Sequence, residues 1–119
     1  MNIALWVVQA LLALAFLMAG SMKAFQYEKA KATMAWVKDV SKGLVSFIGL
    51  AEILGALGLV LPAVLGLPAI LTPLAAAGLV LTMLLAAGFH LKRGENQAIV
   101  ANLVLGALAA FVAYGRWPM

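Results

Sequence analysis

The sequence contains no cysteine, only one histidine and few charged residues. Without cysteine, disulfides, thiolate metal sites, iron–sulfur clusters and dithiol redox chemistry are excluded. A single histidine excludes bis-histidine haem ligation and a histidine-based zinc site within one chain, whereas histidine–methionine ligation stays open because six methionines are present. No nucleophile-elbow motif or phosphate-binding glycine loop is present. The methionines are more simply explained as apolar filler in lipid-facing positions. We therefore predict no catalytic residue and no metal site, and the sequence leaves enzymatic activity open while favouring none for the chain on its own.

The scarcity of charge is matched by an excess of apolar residues. Charged side chains make up 10% of the 119 residues and hydrophobic ones 66%, whereas a soluble domain is about a quarter charged and about half apolar. A domain this small has too little interior to bury that excess, so we expect lipid around it. The net charge of +4 favours anionic lipid headgroups rather than nucleic acid, because the basic residues occupy short gaps between apolar runs.

Four apolar segments are each long enough to cross a bilayer as a helix, which takes about 20 residues. They are 3–22, 43–61, 69–90 and 96–115. The first lacks the basic region that precedes a signal peptide's apolar core, so we interpret it as a retained helix rather than a cleaved signal. Prolines and a glycine in 62–68 predict a tight turn between the second and third spans. The prediction is an all-α membrane protein, a single domain over 1–119 forming a four-transmembrane-helix up-down bundle.

The segment 26–41 between the first two spans carries much of the charge. Glu28, Lys31 and Lys38 fall on one side of a helical projection, with Trp36 near the apolar side. This pattern predicts a short amphipathic segment in the membrane interface with Trp36 as its anchor, although a solvated loop fits equally well.

Lysine and arginine are distributed unequally between the two ends of the predicted bundle. Seven of the eight lie at the end that holds 26–41, and Arg116 alone lies at the other end. The positive-inside rule places the basic end in the cytoplasm and both termini outside, for a protein of the cell's inner membrane.

Glu52 is unusual because it lies in the middle of an apolar span. It follows Lys42 by ten residues, which is about 15 Å of helix and places it near the bilayer centre. A carboxylate at that depth is costly unless it is neutral or paired, so we expect it to face the interior of the bundle. Two interpretations stay open: an acid that binds a proton or ligand, and a hydrogen-bonded acid that fixes helix packing.

Other polar residues lie at a similar depth in the remaining spans. Thr82 and Asn102 each lie among small residues of their helices. With Glu52 they could form one polar layer, which Gln9 could reach from the first helix. Hydrogen bonding between membrane helices is enough to explain such a layer without a ligand.

His90 and Lys23 lie at the cytoplasmic edge of their spans. A proton path from His90 to Glu52 is geometrically feasible, but a lone histidine at this depth more often reaches water or a backbone carbonyl. Both residues are candidates for binding a ligand or a proton.

A recognisable pattern runs through 18–23, 49–62, 71–90 and 102–106. The glycines around Glu52 followed by the later His90 are its most specific part. The pattern covers nearly the whole chain and resembles the DoxX-like family of small four-helix membrane proteins. The resemblance implies a four-helix bundle whose polar set is Lys23, Glu52, His90 and Asn102. Some members of that family are linked to quinone-coupled sulfur oxidation and others to membrane redox complexes, and many have no assigned role.

From these features we expect an accessory or redox-associated subunit of a larger membrane complex. One alternative is a protein that binds a small lipophilic molecule such as a quinone through Glu52 and Asn102. Another is a proton-coupled small transporter, which would need an oligomer because four helices leave little room for a pore. The expected partners are membrane lipids together with other membrane subunits or further copies of the chain, and a quinone is the candidate cofactor.

Overall fold

The computed structural model describes residues 2–34 and 36–117. Within them, five α-helices and one 3-10 turn follow one another, and no strand occurs. In chain order they are α1 (Asn2–Phe25), α2 (Tyr27–Thr33), the turn Val37–Asp39, α3 (Lys42–Leu65), α4 (Leu71–Arg93) and α5 (Asn96–Gly115). The helices α1, α3, α4 and α5 are long and apolar enough to cross a membrane. The predicted four-helix membrane fold is therefore confirmed.

Capping residues mark the start of α3 and the ends of α3 and α4. The Ser41 hydroxyl accepts a hydrogen bond from the Leu44 N–H at 3.3 Å and so caps the start of α3. Gly66 and Gly94 follow α3 and α4 with φ of +70° and +72°. This left-handed conformation is strained for residues with a Cβ, so glycine is the residue that ends a helix in this way.

The predicted end of the second span before Pro62 is wrong. The helix α3 continues through the buried Pro62 to Leu65, and the turn begins only at Gly66. Proline costs the helix one hydrogen bond, because it has no N–H to donate to the carbonyl four residues earlier. Membrane helices tolerate such a loss where neighbouring helices compensate for it. The Pro62 carbonyl is itself satisfied, since it accepts from the Leu67 N–H at 2.8 Å.

The long helices are antiparallel neighbours arranged as two close pairs, α1 with α3 and α4 with α5. Backbones approach most closely between α1 and α3, where a Cβ added to Gly20 would lie 2.6 Å from the Gly49 carbonyl oxygen. We call the end of the bundle that holds 26–41 the linker end, and the end that holds Asn2 and Arg116 the terminal end.

The two helix pairs pack against each other in the half of the bundle nearer the terminal end. There Gly55 accommodates the Leu79 side chain between α3 and α4, and Gly115 accommodates Leu5 between α5 and α1. The main core lies in this region and in the middle of the bundle; its largest buried side chains are Leu12, Phe16, Leu59, Leu79 and Val112. Towards the linker end the pairs enclose a cavity instead.

Residues 26–41, here called the linker, fold onto the end of the bundle. They form α2 and the 3-10 turn rather than one continuous helix. Ala30 and Val37 are fully buried against Val45 of α3 in a small second core. The linker is thus ordered by apolar contacts with the bundle, which a freely solvated loop would lack.

Candidate functional site

The cavity at the linker end has a volume of about 450 Å³ and is lined by all four long helices and by the linker. The five residues predicted as binding candidates all line it: Lys23, Glu52, Thr82, His90 and Asn102. Most of the remaining wall is apolar or aromatic, including Phe16, Phe47, Met83, Phe89 and Leu105. A largely apolar cavity with a few converging polar groups is the usual form of a small-molecule site.

An ion pair joins α1 to α3 at the cavity wall. Lys23 Nζ donates to Glu52 Oε1 at 2.7 Å, and the two residues are 8% and 2% exposed. Their approach depends on the glycine contact one turn away, because a Cβ at Gly49 would lie 2.9 Å from the Lys23 Cβ. The pair neutralises two charges that would each be costly alone at this depth. It also explains why Glu52 is accommodated inside an apolar span.

Asn102 lines this cavity and carries a buried amide donor. Its Nδ2 is buried and has no hydrogen-bond partner among the described residues. Buried side-chain donors are nearly always satisfied in folded proteins, and an unsatisfied one costs about 1–3 kcal/mol. The predicted polar layer therefore does not satisfy this amide nitrogen.

Thr82 lines the same cavity, but its hydroxyl is already satisfied. The Oγ1 donates to the Gly78 carbonyl of its own helix at 2.9 Å. This is the usual bond of a threonine inside a helix. Of the three residues in the predicted polar layer, Thr82 thus offers a ligand the least.

The cavity is covered at the linker end by Trp36. The Trp36 ring lies 5.5 Å from Lys23 Nζ, and 5.7 Å and 6.1 Å from the ring centroids of Phe89 and His90. Cation–π and edge-to-face contacts of this kind stabilise the arrangement. The sequence predicted Trp36 as an anchor in the membrane interface, and in the structure its half-buried side chain also packs over the cavity. The apolar spacing of the linker predicted that one of its sides would be buried. The spacing does not identify the surface against which that side packs.

His90 is held by a chain of charged side chains at the linker end. Its Nδ1 lies 2.8 Å from Glu95 Oε1, Arg93 Nε donates to the same oxygen at 2.8 Å, and Arg93 Nη1 donates to Asp39 Oδ2. The hydrogen bonds from His90 and then Arg93 lower the pKa of Glu95. An ionised carboxylate only accepts, so the Nδ1 of His90 carries a proton and Nε2 is the nitrogen left for another partner. Sequence reasoning missed Glu95, whose position just beyond α4 was the only signal.

Gln9 does not join the predicted polar layer. Its Nε2 donates to the Leu59 carbonyl at 2.6 Å, and its Oε1 accepts from Arg116 Nε at 2.7 Å. In an antiparallel pair whose Gly20 faces Gly49, residue 9 lies beside residue 59 rather than beside Glu52. Gln9 therefore belongs to a separate polar cluster at the terminal end.

Metal ligands do not converge in the described part of the chain, where no three His, Asp or Glu side chains are grouped as a metal site requires. What the arrangement offers is a largely apolar cavity with Asn102 and the Lys23–Glu52 pair in its wall and an aromatic cover. Such a site can bind and orient a lipophilic molecule that has a polar group.

Comparison with known proteins identifies the family of the chain. No curated protein and no solved structure matches the chain. A model of the DoxX-like family matches residues 7–112, which include the whole cavity wall. The resemblance noted in the sequence is therefore confirmed, and this integral membrane protein belongs to the DoxX-like family.

Proposed function

We propose that the protein binds a small lipophilic molecule with a hydrogen-bond-accepting head group in the cavity at the linker end. The unpaired Nδ2 of Asn102 is the observation that carries this proposal. Packing alone gives no reason to retain a buried amide without a partner, because an apolar side chain of similar size would avoid the cost. A carbonyl oxygen of a ligand would complete the amide's hydrogen bonding.

The chemical groups of a quinone match those of the cavity wall. Its carbonyl oxygens accept hydrogen bonds, and Asn102 supplies the required donor. Its flat ring suits a wall that contains Phe16, Phe89 and Trp36. Bound there, a quinone would supply two-electron redox chemistry to a partner, while the protein's own residues would orient it and exclude water. The family resemblance, which links some members to quinone-coupled oxidation, supports the same class of ligand.

The accessory or redox-associated role and the proton-coupled transporter stay predictions from the sequence. Binding of a quinone would be compatible with a subunit that presents it to a larger redox complex. Native mass spectrometry of the protein, gently extracted from its own membrane, would detect such subunits at fixed stoichiometry, or a homo-oligomer.

Two buried amides provide a matched test of the ligand site. Asn102 has an unpaired Nδ2 in the cavity wall, whereas Gln9 is fully engaged at the terminal end. We expect Asn102→Leu to weaken binding of a decyl-substituted benzoquinone about tenfold or more, because one hydrogen bond to the head group is lost. The same variant should keep or slightly raise the free energy of unfolding. Gln9→Leu should lower it by about 1–3 kcal/mol and leave binding unchanged.

Binding can be followed by the fluorescence of Trp36, which quinones quench. The protein has three tryptophans, so Trp6→Phe with Trp117→Phe leaves the one at the cavity. Retaining Trp6 alone, at the terminal end, controls for quenching by quinone dissolved in the membrane. Saturable quenching of Trp36 that is equally strong in wild type and Asn102→Leu would contradict the proposal.

A further inference from the structure

The cavity lies where the two helix pairs separate. Between α3 and α4 the close contacts are on the side of the terminal end, where a Cβ at Gly58 would lie 2.5 Å from the Ala75 Cβ and one at Gly55 would lie 2.6 Å from Leu79. Further towards the linker end, Ala51 of α3 and Ala86 of α4 line the cavity. Small side chains on two helices that diverge leave a gap between the helices rather than a packed interface.

Large apolar side chains border this gap on both helices. Phe47 of α3 and Leu85 of α4 line the cavity and are 68% and 67% exposed. Both belong to membrane-spanning helices, so their exposed surfaces face acyl chains. A side chain that contacts both the cavity and lipid marks an opening from one to the other.

The polar groups of the cavity lie away from this rim. Glu52 and Lys23 are almost fully buried, and the Asn102 amide nitrogen is buried as well. Towards the linker end, Trp36 and His90 form a partition, because both also line a separate groove of about 530 Å³ whose wall includes Glu95 and Asn96. The interior is therefore polar at the inner wall, closed by side chains at the linker end and apolar at the α3–α4 rim.

We propose that the ligand carries a hydrocarbon tail and enters the cavity sideways from the bilayer, between Phe47 and Leu85. This inference rests on the proposed lipophile-binding function and adds the ligand class and the route. The head group reaches Asn102 and the Lys23–Glu52 pair, and the tail remains between α3 and α4 in contact with lipid. The tail gains no hydrophobic energy by leaving lipid for the cavity, so its position at the rim costs little.

Single cysteines at the rim can test the route, because the natural chain has no cysteine to interfere. Leu85→Cys is paired with the control Leu84→Cys, whose native side chain is 58% exposed and does not line the cavity. Phe47→Cys is paired in the same way with Leu54→Cys, 70% exposed. Each variant carries Trp36 as its only tryptophan, is placed in lipid vesicles and is reacted with N-cyclohexylmaleimide.

Association of the decyl-substituted benzoquinone is then measured by quenching of Trp36. We expect the adducts at 85 and 47 to slow association tenfold or more and the adducts at 84 and 54 to leave it within twofold. Equal rates for rim and control adducts would overturn the lateral route while leaving the proposed function intact. Absence of saturable quenching in the unreacted protein would instead overturn the proposed function, and this inference with it.

Discussion

At the scale of single residues, Lys23 of α1 and Glu52 of α3 form an ion pair in the cavity wall. It buries two opposite charges 2.7 Å apart inside the span of the bundle. A buried pair of this kind adds little net stability compared with apolar residues, but removing one partner leaves the other charge uncompensated. Glu52 therefore fixes the packing of α1 on α3, and its carboxylate also lines the cavity. The two interpretations of Glu52 that the sequence left open are compatible.

Substitutions of the pair should be strongly non-additive. Glu52→Gln or Lys23→Met alone should lower the free energy of unfolding by roughly 3 kcal/mol, because each leaves a buried group without its partner. The double variant should recover most of that loss, since no charge then remains to be compensated. Unfolding in mixed detergent micelles, followed by circular dichroism, measures all three. A double variant as unstable as the sum of the two single ones would contradict this account.

At the scale of elements, the contact of α1 with α3 depends on two glycines. The backbones at Gly20 and Gly49 are close enough that a Cβ on either would meet the other's carbonyl oxygen at 2.6 Å. Close approach of this kind is how membrane helices gain packing energy where no hydrophobic driving force acts between them. It also sets the register that brings Lys23 to Glu52.

Adding one methyl group at this contact should be costly. Gly49→Ala places a Cβ 2.6 Å and 2.7 Å from backbone atoms of Gly20 and Ala24, which cannot move independently. We expect it to lower the free energy of unfolding by about 1–3 kcal/mol. Gly78→Ala is the control, because its Cβ would meet nothing within 4 Å, and it should change stability by no more than about 0.5 kcal/mol. Similar losses in both variants would show that helix flexibility, not the contact, explains the effect.

At the scale of the whole molecule, charge is concentrated at the end that holds the cavity and the linker. Seven of the eight lysines and arginines lie there, and Arg116 alone lies at the terminal end. Cytoplasmic loops of membrane proteins carry such an excess of basic residues. We therefore predict that the linker and the Trp36 side of the cavity face the cytoplasm, with both termini outside.

Labelling of single cysteines in intact cells checks this orientation. Leu67→Cys lies in the turn between α3 and α4, and Lys38→Cys lies in the linker; both native residues are exposed. A membrane-impermeant maleimide should label position 67 from outside and reach position 38 only after the cells are opened, because positive loops remain in the cytoplasm. The reverse pattern would show that the termini are cytoplasmic.

More of the fold than of the site could be predicted from the sequence. Helix length, apolar content and the distribution of charge are local properties, so the sequence by itself determined four spans, a lipid environment and the polar candidates Glu52, His90 and Asn102. The end of α3 was missed because proline usually stops a helix in water but is tolerated where membrane helices pack.

Only the tertiary structure decided which residues meet. It paired Lys23 with Glu52, directed Gln9 to the terminal end, placed Trp36 over the cavity and left the Asn102 amide nitrogen without a partner among the residues described. These outcomes depend on the register between helices that are far apart in the chain. That register is set by close contacts of small residues, such as Gly20 with Gly49, whose partners cannot be read from the periodicity of either helix alone.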